Sequence, residues 1–373
     1  MQKKYTSLGL MSGTSGDGVD ASLINSNGID QFELIKDKYF EYDPTIYRDI
    51  HKLKEKIFNK NDLEKLSDEI LDLERNITFF HAKIVKDFKF NNKDYLVGFH
   101  GQTIYHNSKK KISKQIGDGK LLNQITNKKI IYDFRKNDIL NGGQGAPLTP
   151  IFHQLLTTQN KIKLPICFLN IGGISNITAI KKKGSSLELF SKDLGPGNCL
   201  IDNWVRKNSN KNFDKDSELS LAGKTDVIIL EQARELYLNR VDKKTLSFDT
   251  SDFDISFARG LSLEDGAATL TDFTANIIGN EISSSILSFD KKIKDILICG
   301  GGRKNKVLLN KIQENLSLDI NIKLIDDYGI DGDFIESQAF AFLAIRSYLS
   351  LPISFPGTTG CSKPCSGGVL IDD

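Results

Sequence analysis

Alternating apolar and polar positions flank a glycine-rich turn near the start of the chain. Residues 5–11 alternate with a period of two, the sequence SGTSGDG follows, and residues 19–23 alternate again. Period-two alternation on both sides of a turn predicts strand–turn–strand. The turn is therefore unlike the Walker-type and dinucleotide-binding loops, in which the N-terminus of a helix meets the phosphate.

The same pattern returns in the middle of the chain. The sequence ICFLNIGGISNITAI, residues 166–180, reads as an apolar strand, a Gly-Gly turn and a second alternating strand. Residues 295–312, DILICGGGRKNKVLLNKI, read as a buried strand, three glycines and a helix. Two hairpins that each open a run of alternating elements indicate an internal duplication of an α/β domain.

Other segments have the spacing of helices and strands. Apolar residues three and four apart over residues 63–88 predict an amphipathic helix lying on a sheet. YLVGFHGQT, residues 95–103, predicts a buried strand that ends in a polar turn. Residues 128–150 predict a strand that enters a glycine-rich loop and then a helix, and SQAFAFLAIRSYL, residues 337–349, predicts an apolar helix.

The length of 373 residues exceeds what a single hydrophobic core usually supports, so two domains are expected. We place the first domain at residues 1–135 together with a C-terminal segment of about 346–373, and the second domain at residues 136–345. No low-complexity linker separates the two halves.

Charge and composition exclude several classes of protein. Lys and Arg number 50 against 48 Asp and Glu, a net charge of +2, which argues against nucleic acid as the main partner. No stretch approaches the roughly 20 apolar residues of a membrane span, and no signal peptide is evident. The five cysteines are odd in number, and the C-x3-C pair Cys361 and Cys365 alone is a weak zinc signal. We expect a reduced, cytoplasmic protein that does not associate with membranes.

The glycine turns suit an anionic ligand because glycine lets backbone N–H groups approach it closely. Tight hairpins also need glycine, but two such turns and the strand–GGG–helix turn together predict a triphosphate held in a cleft between two domains. Asp17 and Asp20 lie where phosphate is expected, which predicts a bound Mg²⁺ because that ion takes one or two carboxylates beside phosphate. The alternative for Asp17 is simple turn propensity before Gly18.

An ordered set of motifs narrows this prediction. The motifs are MSGTSGDGVD, GFHGQT, QIGDG, DFRKNDILNGGQGAPLTPIFH, LNIGGISNI, DLGPGNCLID, ICGGGRKN, GDFIESQAFAFLA and LPISFPGTTG. The hairpins resemble the phosphate loops of the sugar kinase, heat-shock protein and actin superfamily. The whole set, from about residue 5 to about residue 370, resembles the anhydro-N-acetylmuramic acid kinase family.

This resemblance implies an α/β fold of two actin-like (ribonuclease H-like) domains. It also implies a reaction in which water opens the 1,6-anhydro ring of 1,6-anhydro-N-acetylmuramic acid while ATP phosphorylates the oxygen at carbon 6. The products are N-acetylmuramic acid 6-phosphate and ADP, in peptidoglycan recycling. ATP and Mg²⁺ are the implied cofactors, and a homodimer is the implied assembly.

Water needs a general base, and Asp193 at the start of DLGPGN matches the base of the family. Its alternative role is to begin a turn before the helix that Pro196 and Asn198 introduce. The family usually has Thr after this Asp, whereas this chain has Leu194, which questions a hydroxyl contact there but not the base.

The resemblance also implies the binding residues. The predicted nucleotide-binding residues are Gly13, Thr14, Ser15, Gly16, Asp17, Gly18, Val19, Asp20, Gly172, Gly173, Ser175, Asn176, Gly300, Gly301 and Gly302. The predicted substrate-binding residues are His100, Gln102, Arg135, Gln144 and Glu336, with Arg135 suited to the lactyl carboxylate. A core histidine at position 100, a surface arginine and a helix N-terminal acid at position 336 are the structural alternatives.

Two other functions remain open at this point. One is an ordinary kinase of the same fold that phosphorylates a free sugar hydroxyl, with Asp193 deprotonating that hydroxyl. The other is an ATP-dependent conformational protein of the chaperone or filament type, which the lack of a spare peptide-binding or assembly region disfavours.

Overall fold

The computed structural model describes residues 3–88, 95–240, 247–317 and 319–372, and these divide into two compact units. The first unit contains Met1–Ile162 and Asp333–Asp373, and the second contains Lys163–Gly332. This division differs from the predicted boundaries, because residues 136–162 and 333–345 belong to the first unit.

The strands are β1 Tyr5–Ser12, β2 Gly18–Ser26, β3 Phe32–Glu41, β4 Leu96–Asn107, β5 Ile112–Ile116, β6 Lys129–Tyr132, β7 Ile166–Ile171, β8 Ile174–Lys183, β9 Ser186–Pro196, β10 Asp295–Cys299, β11 Asn321–Leu324 and β12 Val369–Ile371. The helices are α1 Pro44–Lys56, α2 Lys60–Lys65, α3 Ser67–Asp87, α4 Gly119–Thr126, α5 Lys136–Leu140, α6 Pro150–Gln159, α7 Cys199–Asn208, α8 Glu218–Ala222, α9 Val227–Arg240, α10 Leu263–Phe289, α11 Lys306–Glu314, α12 Ile335–Tyr348 and α13 Pro356–Thr359.

The two sheets repeat one strand order. In the first unit the order is β3–β2–β1–β4–β6–β12, with β5 paired to β4, and in the second it is β9–β8–β7–β10–β11. Each sheet begins with a three-stranded antiparallel meander. The first strand of the meander pairs in parallel with a fourth strand, which pairs in parallel with a fifth. The predicted duplication and the predicted fold class, two ribonuclease H-like α/β domains, are confirmed.

Three predicted elements differ from the structure in detail. The helix expected over residues 63–88 is divided at Leu66 into α2 and α3. The strand expected to end in a turn at residue 103 continues as β4 to Asn107, so residues 100–102 lie within a strand. The three glycines of residues 300–302 enter a 3-10 turn, Gly301–Lys304, before α11 begins.

Helix α12 packs closely on the sheet of the first unit because two glycines leave room for its backbone. A Cβ on Gly9 would lie 2.0 Å from the carbonyl oxygen of Ser337, and one on Gly98 would lie 2.5 Å from that of Phe340. Gly9 and Gly98 are paired across β1 and β4, so they form one flat patch beneath the helix. This packing fixes the first turn of α12, which contains Glu336, over β1 and β2.

Each unit has its own hydrophobic core. In the first unit the face of the sheet away from α12 packs on α1 and α3 through residues such as Ile50 and Ile77. In the second unit, α10 crosses the sheet with Ala275, Ile278 and Ile282, and a separate cluster surrounds Trp204 of α7. Within the described ranges, no helix is both long enough and apolar enough to cross a bilayer.

Candidate active site

The turn between β1 and β2, residues 13–17, is compact and rich in polar atoms. The N–H of Gly16 donates to the carbonyl of Gly13 at 3.2 Å, and the Ser15 hydroxyl donates to Asp17 Oδ1 at 2.7 Å. Gly16 has a φ of +64°, and a Cβ there would lie 3.0 Å from Cγ2 of Ile50, so a larger residue would be strained. The turn therefore has a defined conformation before any ligand binds.

Side chains that are distant in sequence hold this turn in place. Gln102 is fully buried; its Nε2 donates to the carbonyl of Gly13 at 2.9 Å, and its Oε1 accepts from Ser12 at 2.5 Å. The buried Tyr42 hydroxyl donates to Ser12 Oγ at 3.1 Å. Lys54 of α1 donates to the carbonyl of Thr14 at 2.9 Å. The conformation of the turn thus depends on β4, on Tyr42 in the segment between β3 and α1, and on α1 itself.

A group of carboxylates lies at the end of this turn. Burial, followed by the negative charges of Asp17, Glu336, Asp333 and Asp37, raises the pKa of Asp20 to about 8. A carboxylate that is crowded in this way favours either a proton or a metal cation as its neighbour. Carboxylate oxygens are the ligands that Mg²⁺ prefers, so the donor set fits that ion.

Arg135 and a glycine-rich loop form a second polar arrangement in the first unit. Arg135 donates to the carbonyl of Gly145 at 2.8 Å and to Nε2 of His100 at 2.9 Å. The other ring nitrogen of His100 lies 2.8 Å from the carbonyl of Gly101. Burial, together with the charge of Arg135, lowers the pKa of His100 well below its usual value. His100 is therefore neutral and positions the guanidinium, and it does not serve as a charged group.

Asp138 holds the glycine-rich loop, residues 142–145, through two hydrogen bonds. Its Oδ2 accepts from the N–H of Gly145 at 2.7 Å, and its backbone carbonyl accepts from the N–H of Gly143 at 2.9 Å. The N–H of Gln144, between them, donates to the carbonyl of Thr359 at 2.9 Å. These bonds hold the backbone around Gln144 in one conformation.

In the second unit the turn Gly172–Gly173 is held by backbone groups. The carbonyl of Gly172 accepts from the N–H of Asn198 at 2.8 Å, and the carbonyl of Gly173 accepts from those of Gly197 and Cys199 at 2.9 and 3.2 Å. A Cβ on Gly197 would lie 2.3 Å from the carbonyl oxygen of Gly172. The segment that joins β9 to α7 is therefore packed directly on the turn.

Asp193 lies on β9, three residues before the end of the strand, and is buried with 7% of its surface exposed. Its Oδ2 accepts from the N–H of Phe248 at 2.8 Å, which fixes the orientation of the carboxylate. Asn176 is its partner across β8, and Asn176 Oδ1 is buried with no hydrogen-bond partner among the described residues. A ligand donor or a water is a natural partner for such an atom.

The residue after Asp193 has a structural explanation. The pairing of β8 with β9 shifts register here, since Ser175 pairs with Gly195 and Asn176 with Asp193. Leu194 falls at this bulge, is 1% exposed and packs in the core with residues such as Ile177 and Ala275. Leu194 is therefore a core residue in this chain, and the hydroxyl contact that a Thr would offer is absent.

A third glycine turn follows β10. Gly300 has a φ of +80°, and a Cβ there would lie 2.3 Å from Oδ1 of Asn170. Arg303 in the same turn forms a two-pronged contact with Asp326 at 2.9 and 3.0 Å and reaches Asp331 at 3.1 Å. These ion pairs fasten the turn to the end of the second unit.

The chain matches known proteins over its whole length. The family model for anhydro-N-acetylmuramic acid kinase matches residues 5–373. The chain belongs to the anhydro-N-acetylmuramic acid kinase family. It is 56% identical over 374 residues to the anhydro-N-acetylmuramic acid kinase of Pelagibacter ubique, covering 100% of this chain and 99% of that protein. The kinase of the same name from Agrobacterium fabrum is 36% identical, with all of both chains covered.

One solved structure illustrates how far structural similarity extends. The activator of the 2-hydroxyisocaproyl-CoA dehydratase from Clostridium difficile, solved with bound ADPNP, aligns with a TM-score of 0.40 and 12% identity. The alignment covers 91% of this chain and 94% of that one. A similarity this low adds nothing to the functional argument.

The predicted nucleotide-binding residues lie in different environments in the structure. Gly13–Asp17 form the first turn, Gly172 and Gly173 the second, and Gly300–Gly302 the third, whereas Gly18, Val19 and Asp20 lie in β2. Val19 is fully buried in the core, and the buried Ser175 hydroxyl donates to the carbonyls of Gly195 and Pro196. These two side chains support the fold, and ligand contact by them is disfavoured.

Gln102 also differs from its predicted role in a kinase of this family. With no exposed surface and both amide atoms bonded near the turn, it positions the turn, so a direct sugar contact by it is disfavoured. The half-buried Arg135, Gln144 and Glu336 have exposed surface with which a ligand can interact.

The sequence analysis missed the residues that support the site. Lys54, Tyr42, Asp138 and the N–H of Phe248 each hold a predicted site element, and all but Asp138 lie outside the quoted motifs. Lys54 reads as one of many lysines on an amphipathic helix, and a backbone N–H has no sequence signal. Asp138 lies within the quoted motif DFRKNDILNGGQGAP, which is the one signal that could have found it.

Proposed function

We propose that this member of the anhydro-N-acetylmuramic acid kinase family uses ATP and water to convert 1,6-anhydro-N-acetylmuramic acid into N-acetylmuramic acid 6-phosphate and ADP. The observation that carries the proposal is the buried, oriented Asp193 beside the second glycine turn, in a chain that matches the family over residues 5–373. Both glycine turns and the Gly300–Gly302 turn are proposed to bind the nucleotide.

Asp193 is proposed to act as the general base. It takes a proton from water as the water oxygen forms a bond to carbon 1 of the sugar and the bond from carbon 1 to oxygen 6 breaks. Oxygen 6 then forms its bond to the γ-phosphorus, and ADP leaves. The hydrogen bond from Phe248 supports this role because a base must be oriented before it can accept a proton in line.

The first turn is proposed to hold the phosphates, with Asp17 and Asp20 as the carboxylates nearest to the metal. Bound Mg²⁺ supplies neutralisation of the charge on the phosphates. The raised pKa of Asp20 supports this placement, since a cation relieves the crowding among Asp17, Asp20 and Glu336. Phosphoryl transfer requires that the protein position the phosphates and stabilise their charge. A turn whose conformation is fixed by Gln102 would position them.

The lactyl carboxylate of the sugar is proposed to bind Arg135. The guanidinium is planar and is held by His100 and the Gly145 carbonyl, so it is preorganised for a carboxylate. Gln144 and Glu336 are proposed to contact sugar hydroxyls. His100 acts through Arg135 and is a positioning residue.

Product analysis in labelled water tests the reaction. Purified protein is incubated with ATP, Mg²⁺ and the anhydro sugar in ¹⁸O-labelled water, and the molecular mass of the product is measured by mass spectrometry at early time points. Opening of the bridge places solvent oxygen at carbon 1 and leaves oxygen 6 unlabelled. Phosphorylated product without early ¹⁸O would contradict the proposal and would favour a kinase that acts on a free hydroxyl.

A variant of the base tests the role of Asp193. Asp193→Asn should lower kcat by roughly 10²-fold or more, because water loses its proton acceptor, while nucleotide affinity is largely kept. Glu188→Gln is the matched control, since Glu188 lies on the same strand but pairs with Lys181 and Lys183 at the surface. Near-normal turnover of Asp193→Asn would remove Asp193 from the mechanism.

The assembly is also part of the proposal. We expect a homodimer, as the family resemblance implies, with twice the chain mass of 41.7 kDa. Size-exclusion chromatography with light scattering checks this expectation, and a mass of one chain at micromolar concentration would contradict it.

A further inference from the structure

Two cysteines and one carboxylate meet in the first unit, away from the carboxylates of the first turn. Cys361 and Cys365 follow α13, and Asp138 lies in α5; the three residues are buried, with 2%, 5% and 1% of their surfaces exposed. Their Sγ, Sγ and carboxylate oxygen atoms lie within 4.8 Å of one another. Of the side chains that the structure describes, these form the one group of three potential ligands at such distances.

The backbone around the three side chains is tied together. The loop before α6 and the segment after α12 are joined by bonds from the N–H of Gln144 to Thr359 and from the N–H of Ser362 to Asn141, at 2.9 and 3.0 Å. Cys365 forms an isolated bridge with Ser354. The side chains thus converge on a preformed frame, which lowers the entropic cost of binding an ion.

The carboxylate is oriented by partners that leave its charge in place. The Thr359 hydroxyl donates to Asp138 Oδ1 at 2.6 Å, and the N–H of Gly145 donates to Oδ2 at 2.7 Å. Groups of this kind, which bond to a ligand and not to the ion, are a regular feature of metal sites. Each oxygen has a further lone pair with which it can coordinate.

The Cys361 thiol is protonated when no ion is bound. Burial, and then the charge of Asp138 and the proximity of Cys365, raises the pKa of Cys361 to about 11, although a bond from Thr359 opposes the shift. A thiol in this state is a poor nucleophile, so a catalytic cysteine is disfavoured. A thiophilic cation would change the balance, since coordination removes the proton of a thiol outright.

We propose that Asp138, Cys361 and Cys365 bind a thiophilic divalent ion of the Zn²⁺ class, with water as the fourth ligand. Two thiolates and one carboxylate match the ligands of tetrahedral zinc, whereas Mg²⁺ and Ca²⁺ select oxygen alone. Coordination releases the proton of a thiol ligand, so binding should release protons. The ion would clamp the segment 359–365 to the loop that contains Gln144. This site does not depend on the proposed kinase reaction.

Cobalt titration of the reduced, full-length protein tests the site. Co²⁺ should bind with one ion per chain and produce a thiolate-to-cobalt absorption band, which Zn²⁺ then abolishes. Zn²⁺ at about 100 times its Kd should raise the unfolding midpoint by roughly 5 °C. Absence of the band at saturating Co²⁺ would overturn the proposal.

Variants assign the ligands. Cys361→Ser and Cys365→Ser should each weaken the band and lower Zn²⁺ affinity by roughly 100-fold or more. This loss exceeds the one expected when a residue that hydrogen-bonds to a ligand, and does not touch the ion, is replaced. Cys199→Ser is the matched control in the second unit and should keep both. Thr359→Val removes the hydroxyl that bonds to Asp138 and Cys361 but no proposed ligand, and it should cost about tenfold in affinity.

A redox pair is the outcome that competes with a metal site. Thiol counts on protein purified without reductant distinguish the two. Five thiols per chain, with metal-dependent protection of two, support the proposal. If only three thiols per chain react, both before and after metal is removed, Cys361 and Cys365 form a disulfide. That result would overturn the proposed metal site.

Discussion

The two units share a strand order but stabilise their glycine turns by different means. In the first unit, side chains from β4, Tyr42 and α1 reach the turn between β1 and β2. In the second unit, backbone N–H groups of residues 197–199 bond the turn between β7 and β8. Hydrogen bonds from side chains can be removed one at a time by substitution. Where backbone packs directly on a turn, almost no added side-chain volume fits.

The histidines and the crowded carboxylates are also unevenly divided between the two units. All five histidines of the chain lie in the first unit, at positions 51, 81, 100, 106 and 153, and none lies in residues 163–332. The carboxylates that crowd Asp20 also belong to the first unit. The first unit is therefore the one whose stability and chemistry respond most to protons.

Acid should destabilise the first unit before the second, and this is the largest effect that we expect. Burial lowers the pKa of His81 to about 4 and that of His153 to about 3. Unfolded histidine takes up a proton near pH 6.5, so the unfolded state gains protons first and stability falls as the pH drops from 6.5 toward 4. Each histidine contributes a slope of ~1.4 kcal/mol per pH unit. Asp20, with its pKa raised to about 8, opposes them by one proton over the same range, and the two histidines together outweigh it.

Hydrogen exchange measured by peptide mass between pH 7 and 4.5 checks this order. After correction for the intrinsic rate, β1 and β4 should lose protection at a higher pH than β7 and β10. His153→Leu should reduce the acid sensitivity of the first unit by about one proton. Simultaneous loss of protection in both units would contradict the comparison.

A methyl group at the second turn should be costly. Gly197→Ala places a Cβ 2.3 Å from a backbone oxygen that cannot move alone, so the free energy of unfolding should fall by about 3 kcal/mol. Gly13→Ala in the first turn meets its nearest atom at 3.6 Å and should change stability by less than about 1 kcal/mol. Urea denaturation measures both, and equal losses would remove the distinction between the two turns.

Removal of the main side-chain support should affect the first turn by an intermediate amount. Gln102→Leu leaves the Gly13 carbonyl and Ser12 without their bonds to the amide, which should cost about 1–3 kcal/mol and raise the KM for ATP. Gln115→Leu on β5 is the control, because its amide bonds to Thr103 and Ser113. An unchanged KM for ATP in Gln102→Leu would mean that the turn does not need this support.

The smallest effect is expected at α1. Lys54→Met removes one bond to the Thr14 carbonyl from a half-buried side chain, so we expect about 1 kcal/mol in ATP binding, close to fivefold. Lys52→Met, on the exposed side of the same helix, should leave ATP binding unchanged. Calorimetric titration with ATP compares the two, and a larger loss than in Gln102→Leu would reverse the ranking of the supports.

Sequence periodicity was sufficient to predict the hairpins and the duplication. Apolar and polar residues alternate along these strands because one face of each strand packs on a hydrophobic core. It could not separate Gln102 as a ligand from Gln102 as a support, because the partners lie 89 and 90 residues away in the chain. The bulge that turns Leu194 into the core leaves no trace in the alternation, since one skipped residue changes the register of pairing and not the composition. The roles of Asp193, Arg135 and the carboxylates stay predictions, and Asp193→Asn tests the first of them.

The packing of α12 on Gly9 and Gly98 also determines when the first unit can be completed during synthesis. The strands that need this cover leave the ribosome early, whereas residues 335–348 follow only after the whole second unit, a delay of roughly 10–30 s at usual elongation rates. During that time one face of the N-terminal sheet is exposed, with a shallow groove at the two glycines. The nascent chain must therefore stay in solution with one face of its first sheet uncovered until residues 335–348 have been made.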